Sequence, residues 1–261
     1  LLMAADLAGT PRSGLNVQLC GDAHLMNFGA FGSPERRMVF DINDFDETAP
    51  GPFEWDVKRL AASVAIAGRD NGFGTKDRTR AVRASVEGYR TAMTELASMT
   101  NLEVWYSAID VDAWMVQLGA DIGEKAVKRA EAQVAKARTR DSHQAYEKLT
   151  HLVDGQPRIV SNPPLIEPVS DLFDPDQQDQ VLEAIHEMFV RYRESLQSDR
   201  RRLLEDFRIV DVARKVVGVG SVGTRAWIVL LLGRDGNDPL FLQAKEAQAS
   251  VLTAHTGQRV R

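Results

Sequence analysis

Asn16 to Ala61 reads NVQLCGDAHLMNFGAFGSPERRMVFDINDFDETAPGPFEWDVKRLA, and the rest of the chain is organised around it. A short apolar run (Val17, Leu19) stops at Gly21-Asp22, and His24 and Asn27 follow within a turn's length. A second apolar run, Met38-Val39-Phe40, ends on Asp41, after which Asn43, Asp44, Asp46 and Glu47 crowd together. Glu54-Trp55-Asp56 then heads an amphipathic run. Acidic and amide side chains placed just past strand ends are how a protein gathers oxygen ligands for Mg²⁺ and a carboxylate for a reacting hydroxyl.

The spacing sharpens that reading. Asp22 to Asn27 is five residues and Asn27 to Asp41 is fourteen, with a strand directly before Asp41. A base, a metal-binding amide and a metal-binding carboxylate need about this loop–strand–loop layout to converge on one phosphate. The bland alternative is an Asx-rich turn satisfying its own backbone. His24 reads equally as a structural hydrogen-bonder or as a participant in chemistry. Asp44, Asp46 and Glu47 read as a solvated acidic loop in preference to extra metal ligands. Asp56 reads as a brace for the loop at a helix start, where the helix dipole favours an acid. Cys20 reads as a buried small apolar residue.

Outward from this stretch, residues 1–9 read as the tail of a helix stopped by Gly9. Residues 17–20 and 38–40 read as short strands, and Pro50, Gly51 and Pro52 end the acidic loop. Helices are predicted over about 53–69 and 77–98 from their apolar faces. Residues 101–150 are mostly helical, with alternating charge in EKAVKRAEAQVAKARTR that marks a solvated face. A hairpin with a tight Asp154-Gly155 turn is predicted over 151–160. Pro163, Pro164 and Pro168 make 161–175 a loop, and a helix follows over about 176–206.

The last section changes character. Residues 209–219, 226–232 and 240–245 read as a three-stranded antiparallel meander, with Gly218-Val219-Gly220-Ser221-Val222-Gly223 in its first turn. In a dinucleotide-binding unit such glycines open a helix. Here they open Thr224-Arg225-Ala226-Trp227-Ile228-Val229, which is β-branched and aromatic. A glycine-rich turn between antiparallel strands is the protein-kinase arrangement, whose backbone covers nucleotide phosphates. Lys245, at the end of the next strand, is the right cation to reach the α/β-phosphates. The alternative is a hairpin bulge followed by an ordinary exposed lysine.

Bulk properties set outer bounds. The 261 residues suffice for one large or two modest domains, at an ordinary 44% hydrophobic and 26% charged. A net charge of −5 argues against a phosphate-backbone binder, so no nucleic-acid partner is expected. A single cysteine rules out an internal disulfide framework and fits a reducing, cytoplasmic setting. No apolar run approaches the roughly 20 residues that span a bilayer, and no signal peptide is evident. The ends, Leu-Leu-Met and Gln-Arg-Val-Arg, read as those of an excerpt from a longer protein.

CGDAHLMN resembles the catalytic-loop signature of the aminoglycoside-phosphotransferase and choline-kinase branch of the kinase-like fold, usually written HGDxHxxN. VFDIND is similar to that branch's metal-binding strand end, and EWDVKRLA to the helix that follows it. The whole run, with DVARKVVGVGSVGTR and LQAKEA, resembles a bacterial family catalogued as a domain of unknown function, over nearly the full chain. The resemblance implies an α+β, kinase-like two-lobe fold. It makes Asp22 the catalytic base, with His24 beside it, and gives Mg²⁺ to Asn27 and Asp41. Gly218, Gly220, Ser221 and Gly223 become the phosphate cover, and Lys245 the phosphate-pairing cation. Cys20 departs from the family's histidine before Gly-Asp. No acidic partner for Lys245 is identifiable, since Glu246 points the wrong way on a strand, and one is expected beyond Arg261. The order is also reversed. A helical catalytic part over 1–206, with its loops at 20–56, precedes a β-rich nucleotide part over 207–261, so the resemblance implies a circular permutation, which close-lying termini allow.

The favoured expectation is an ATP- and Mg²⁺-dependent phosphotransferase acting on a small hydroxyl-bearing molecule. One rival is a nucleotide-binding pseudokinase or scaffold. Another is a metallophosphoesterase, suggested by strand–GDAH, but His143, His151, His186 and His255 sit in no ligand-bearing loop.

Overall fold

The computed structural model describes residues 2–121, 123–139, 142–216 and 225–256. They form a mixed α+β chain of two compact units, 1–137 with 247–261, and 138–246. The division expected at 206/207 follows the change from helical to β-rich sequence, whereas these units follow compactness.

In the first unit, α1 (Leu2–Ala8) precedes β1 (Asn16–Leu19). A 3₁₀ turn over Leu25–Asn27 leads into β2 (Phe28–Gly32), which pairs antiparallel with β3 (Met38–Ile42) in the register Gly29↔Asp41. The glycines of FGAFG hide β2 from a propensity reading. β4 (Ala49–Pro52) pairs with β1, although Pro50, Gly51 and Pro52 read as a loop terminator. A two-stranded sheet tolerates this because each strand has an open edge, where a missing proline N–H costs no ladder bond. α2 (Glu54–Asp70) packs against α3 (Thr75–Ala97), with the Phe53 and Tyr89 rings stacked at 6.1 Å.

α4 (Asn101–Tyr106) starts at a capping box, in which Thr100 and Glu103 satisfy each other's backbone N–H groups. β5 (Ile109–Asp110) then adds to β3, so the expected helical stretch carries a short strand. α5 (Val111–Asp121) brings Trp114 onto Phe40 at 5.3 Å, and α6 (Glu124–Arg138) follows. The core of this unit gathers Ala4, Leu7, Leu19, Ala49, Trp55 and Leu252.

The second unit opens with α7 (Ser142–Leu149), then the hairpin β6 (Thr150–Val153) and β7 (Gln156–Ile159). Asp154 and Gly155, at φ 50° and 75°, make the turn with two left-handed residues, which twists as a hairpin needs. The expected loop over 161–175 contains β8 (Ile166–Pro168) and α8 (Val169–Leu172). β8 extends the meander of β9 (Arg208–Lys215), β10 (Ala226–Leu232) and β11 (Pro239–Lys245) to four antiparallel strands, ordered β11-β10-β9-β8. Val229 and Leu231 of β10 join one cluster with Ile185 and Phe189, while Ile228 and Leu230 join another with Ile159 and Ile166. Coverage on both faces explains why AWIVLLL is continuously apolar and not alternating.

The helix expected over 176–206 is two: α9 (Pro175–Ser195) and α10 (Ser198–Glu205). Leu196 and Gln197 are extended between them, and Arg201 donates to the carbonyls of Glu194 and Leu196 freed by the break. No Gly or Pro marks it. The closing helix, α11 (Thr253–Thr256), belongs to the first unit.

Asp211 joins the hairpin to the sheet. Its Oδ2 accepts from the Ile159 N–H at 2.7 Å and its Oδ1 from the Val212 N–H at 3.0 Å, with Arg158 alongside at 3.5 Å. Asp211→Ala strands two donors and is expected to destabilise this unit by about 2–4 kcal/mol, read by chemical denaturation. Wild-type stability in that variant would show that the hairpin needs no such tie.

Candidate functional site

One face of α2 grips the loop between β1 and β2. Asp56, Arg59 and Ser63 fall at i, i+3 and i+7, so they project from the same side of the helix. The Asp56 carboxylate accepts from two consecutive backbone donors, Cys20 N–H at 2.7 Å and Gly21 N–H at 3.1 Å. Arg59 Nε donates to Asp22 Oδ1 at 2.7 Å, and Ser63 Oγ accepts from the Leu25 N–H at 3.1 Å. The opposite flank of the first turns holds the chain entering β1: Glu54 accepts from Ser13 N–H, and Lys58 donates to Thr10. The expected brace at Asp56 is therefore the first of three. Residue type alone does not mark Arg59 and Ser63, but their spacing from Asp56 along one helix face does.

The loop is closed internally as well. His24 Nδ1 accepts from the Met26 N–H at 3.1 Å, which leaves the proton of a neutral ring on Nε2, 3.5 Å from Asp22 Oδ2. Asn27 Nδ2 donates to the Asp22 carbonyl at 2.8 Å, and the Asn27 carbonyl accepts from the Asn43 N–H at 2.7 Å. Gly21 has φ +95°, and a Cβ there would lie 2.0 Å from the Glu47 carbonyl oxygen, so only glycine lets the two loops approach. His24 is thus at least a structural hydrogen-bonder.

Asn27 and Asp41 lie on neighbouring stretches of backbone, since Phe28 faces Ile42 and Gly29 faces Asp41. Asn27 spends its amide nitrogen on Asp22, which orients the side chain and leaves Oδ1 without a partner among the described residues. Asp41 accepts the Ile42 N–H on Oδ1 at 2.8 Å and is otherwise exposed. One amide oxygen and one carboxylate oxygen are thus available as hard donors. Mg²⁺ is held by such a small protein set, completed by phosphate and water, so these residues fit that ion. Among the described residues no three His, Cys, Asp or Glu side chains gather as a metal site.

The acidic loop is less solvated than its composition suggests. Asp44 caps the Asp46 N–H, but Glu47 accepts the Val251 N–H on its carboxylate at 2.7 Å and the Ser250 hydroxyl on its carbonyl at 2.8 Å. Cavities of about 550 Å³ and about 440 Å³ flank the loop; the first includes Asp22 and Arg59 in its wall, the second Cys20, Asp56 and Tyr89. Burial lifts the Asp56 carboxyl above the ordinary range; the Cys20 and Gly21 amides pull it down and the Asp22 charge pushes it up. Burial, with the neighbouring Asp56 and Asp41, raises the Cys20 thiol to about 11.

In the second unit, Lys245 ends β11 opposite Ala226. The adjacent Glu246 lies just past the end of β11, not on a strand, and pairs with Arg225 (3.2 Å). Gly218, Gly220, Ser221 and Gly223 lie outside the described residues.

A family model described as "Uncharacterized protein conserved in bacteria (DUF2252)" matches residues 1–261. The chain belongs to the DUF2252 family. No curated protein and no solved structure matches it significantly. Among the described residues of this DUF2252 chain, no helix is long and apolar enough to cross a membrane.

Two outcomes test the brace. Asp56→Ala leaves the Cys20 and Gly21 donors unsatisfied and is expected to cost about 2–4 kcal/mol in thermal unfolding, with Asp56→Asn losing less. A native Cys20 thiol near 11 stays protonated where an unfolded one, near 8.5, ionises. Iodoacetamide at pH 8 should therefore label folded protein on the order of 100-fold more slowly than urea-unfolded protein. Because the folded value is the raised one, the stability this thiol contributes is complete below about pH 8.5 and is lost as pH climbs towards 11. Equal labelling rates would contradict the described burial.

Proposed function

We propose that this DUF2252 chain is an ATP- and Mg²⁺-dependent phosphotransferase of kinase-like type that acts on a small hydroxyl-bearing molecule. The observation that carries the reading is the fixed Asp22 carboxylate. Its loop is tied down by Asp56 and Ser63, its Oδ1 is turned towards Arg59, and its side chain is still 43% exposed. A general base must be held within reach of a hydroxyl while remaining open to it. The match of CGDAHLMN and VFDIND to the kinase-like signatures supplies the reaction class, by analogy.

In this reading Asp22 orients the acceptor hydroxyl and takes its proton, while the hydroxyl oxygen bonds to the γ-phosphorus and ADP departs with the electrons of the broken P–O bond. Arg59 fixes the carboxylate's rotation. Asn27 Oδ1 and Asp41 would hold Mg²⁺, which supplies neutralisation of phosphate charge when bound. Lys245 and the glycine run at 218–223 would hold the nucleotide phosphates, and the permuted kinase-like arrangement is part of the same proposal.

Calorimetric titration with ATP, with and without Mg²⁺, tests it. Wild-type protein should bind ATP in a Mg²⁺-dependent manner, and Asp41→Ala and Lys245→Ala should each weaken binding about tenfold or more. Asp22→Asn should keep binding but lose acceptor-dependent ADP release by a factor of about 100 or more. No ATP binding by the wild type would overturn the reading. ATP binding with turnover untouched by Asp22→Asn would point to a nucleotide-binding scaffold.

A further inference from the structure

The cleft beside Asp22 has the size and lining of a small-molecule site. Its volume of about 550 Å³ lies within the roughly 300–1,000 Å³ of small-molecule sites. Apart from the polar floor, its walls are hydrocarbon, drawn from α1 (Met3, Leu7) and from Val251 and Leu252 at the other end of the chain. Trp55, 2% exposed, adds its indole to the wall, and the indole N–H has no hydrogen-bond partner among the described residues. The charged groups are confined to Asp22, Arg59 and Glu47.

Those three groups decide which headgroup is welcome. Arg59 commits its Nε to Asp22, and Glu47 commits one carboxylate oxygen to the Val251 N–H. Two carboxylates against one guanidinium leave the polar floor with a negative balance. Near low-dielectric walls such an excess repels an incoming anion more strongly than it would in water. A hydroxyl is accepted instead, because it can donate to the exposed Asp22 carboxylate.

We propose that this cleft is the acceptor site and that it takes an uncharged alcohol carried on an apolar body. This rests on the phosphotransferase reading through the part it gives Asp22. The hydrocarbon body lies along Met3, Leu7 and Leu252, and the hydroxyl reaches the carboxylate at the floor. Arg59 acts as a positioning residue, holding Asp22 Oδ1 so that Oδ2, which His24 Nε2 approaches only to 3.5 Å, is the oxygen offered.

The test uses 1-octanol and octanoate as probes, titrated by saturation-transfer NMR into the whole chain without nucleotide. Octanol should bind, and octanoate at least about tenfold more weakly. Met3→Trp and Val251→Phe add bulk at partly buried wall positions and should each lower octanol affinity about tenfold, with thermal melts confirming the fold. Asp22→Asn should narrow the gap between the two probes. With ¹³C-methyl methionine, octanol should shift the Met3 methyl of the wild type, which reads the contact with no substitution in the wall. The proposal is overturned if neither probe binds, if octanoate binds as well as octanol, or if octanol binds while the Met3 methyl and both folded variants are unaffected. ATP binding is measured separately. Octanol without ATP would leave the cleft standing and sink the kinase reading, and ATP without octanol would do the reverse.

Discussion

Two adjacent backbone N–H groups, those of Cys20 and Gly21, end on a single carboxylate, Asp56. Every other feature of the first unit's site depends on that pairing. The donors sit where β1 has stopped and no strand partner remains, so without Asp56 they would be half-buried and unsatisfied. A carboxylate offers one oxygen to each donor, Oδ2 to Cys20 and Oδ1 to Gly21, and the first turn of α2 is where the helix dipole helps to hold its charge. Burial works against that charge, and the raised Asp56 carboxyl records the contest. Once the loop is anchored, Arg59 and Ser63 meet Asp22 and Leu25 without further adjustment, because helix geometry has already set their spacing.

The helix thereby ties down the loop that carries Asp22 at three points. Loops that carry reactive groups are ordinarily the variable part of a fold, positioned by something stiffer. Here the stiff element also shapes what lies beside the carboxylate, since Trp55 and Arg59 of the same helix line the larger cleft while Asp56 and Val57 line the smaller. Site and support are two faces of one helix.

Much of this was legible in the sequence, for physical reasons that differ from element to element. α2 announces itself by apolar spacing, β10 by an unbroken apolar run, and the β6–β7 hairpin by Asp154-Gly155, which accepts the left-handed turn. What stayed hidden lacked a local signal. β4 is written in prolines and glycine, β8 sits inside a proline-rich stretch, and the α9–α10 break falls at Leu196-Gln197, residues with no aversion to a helix. Within the site, Asp22, Asn27 and Asp41 stand out by residue type and spacing. The Arg59–Asp22 pair, 37 residues apart, becomes visible only when the helix and the loop are brought together. Glu47 looks solvated in the sequence because its partners, Ser250 and Val251, lie more than 200 positions away.

That last contact has a consequence for how the protein comes into being. The first unit is written in two pieces, with the whole of the second unit, 138–246, inserted between them. Its core is incomplete without Leu252, and the Glu47 loop is untethered until residues 250 and 251 arrive. A ribosome adding about 5–20 residues per second makes the inserted unit available to fold first, as its contacts close within one continuous segment. The Asp22 loop and the cleft beside it take their final form only after that, at the cost of a long loop closure. The segment that carries Asp22 is thus made before the inserted unit, yet its own core waits for residues made after it.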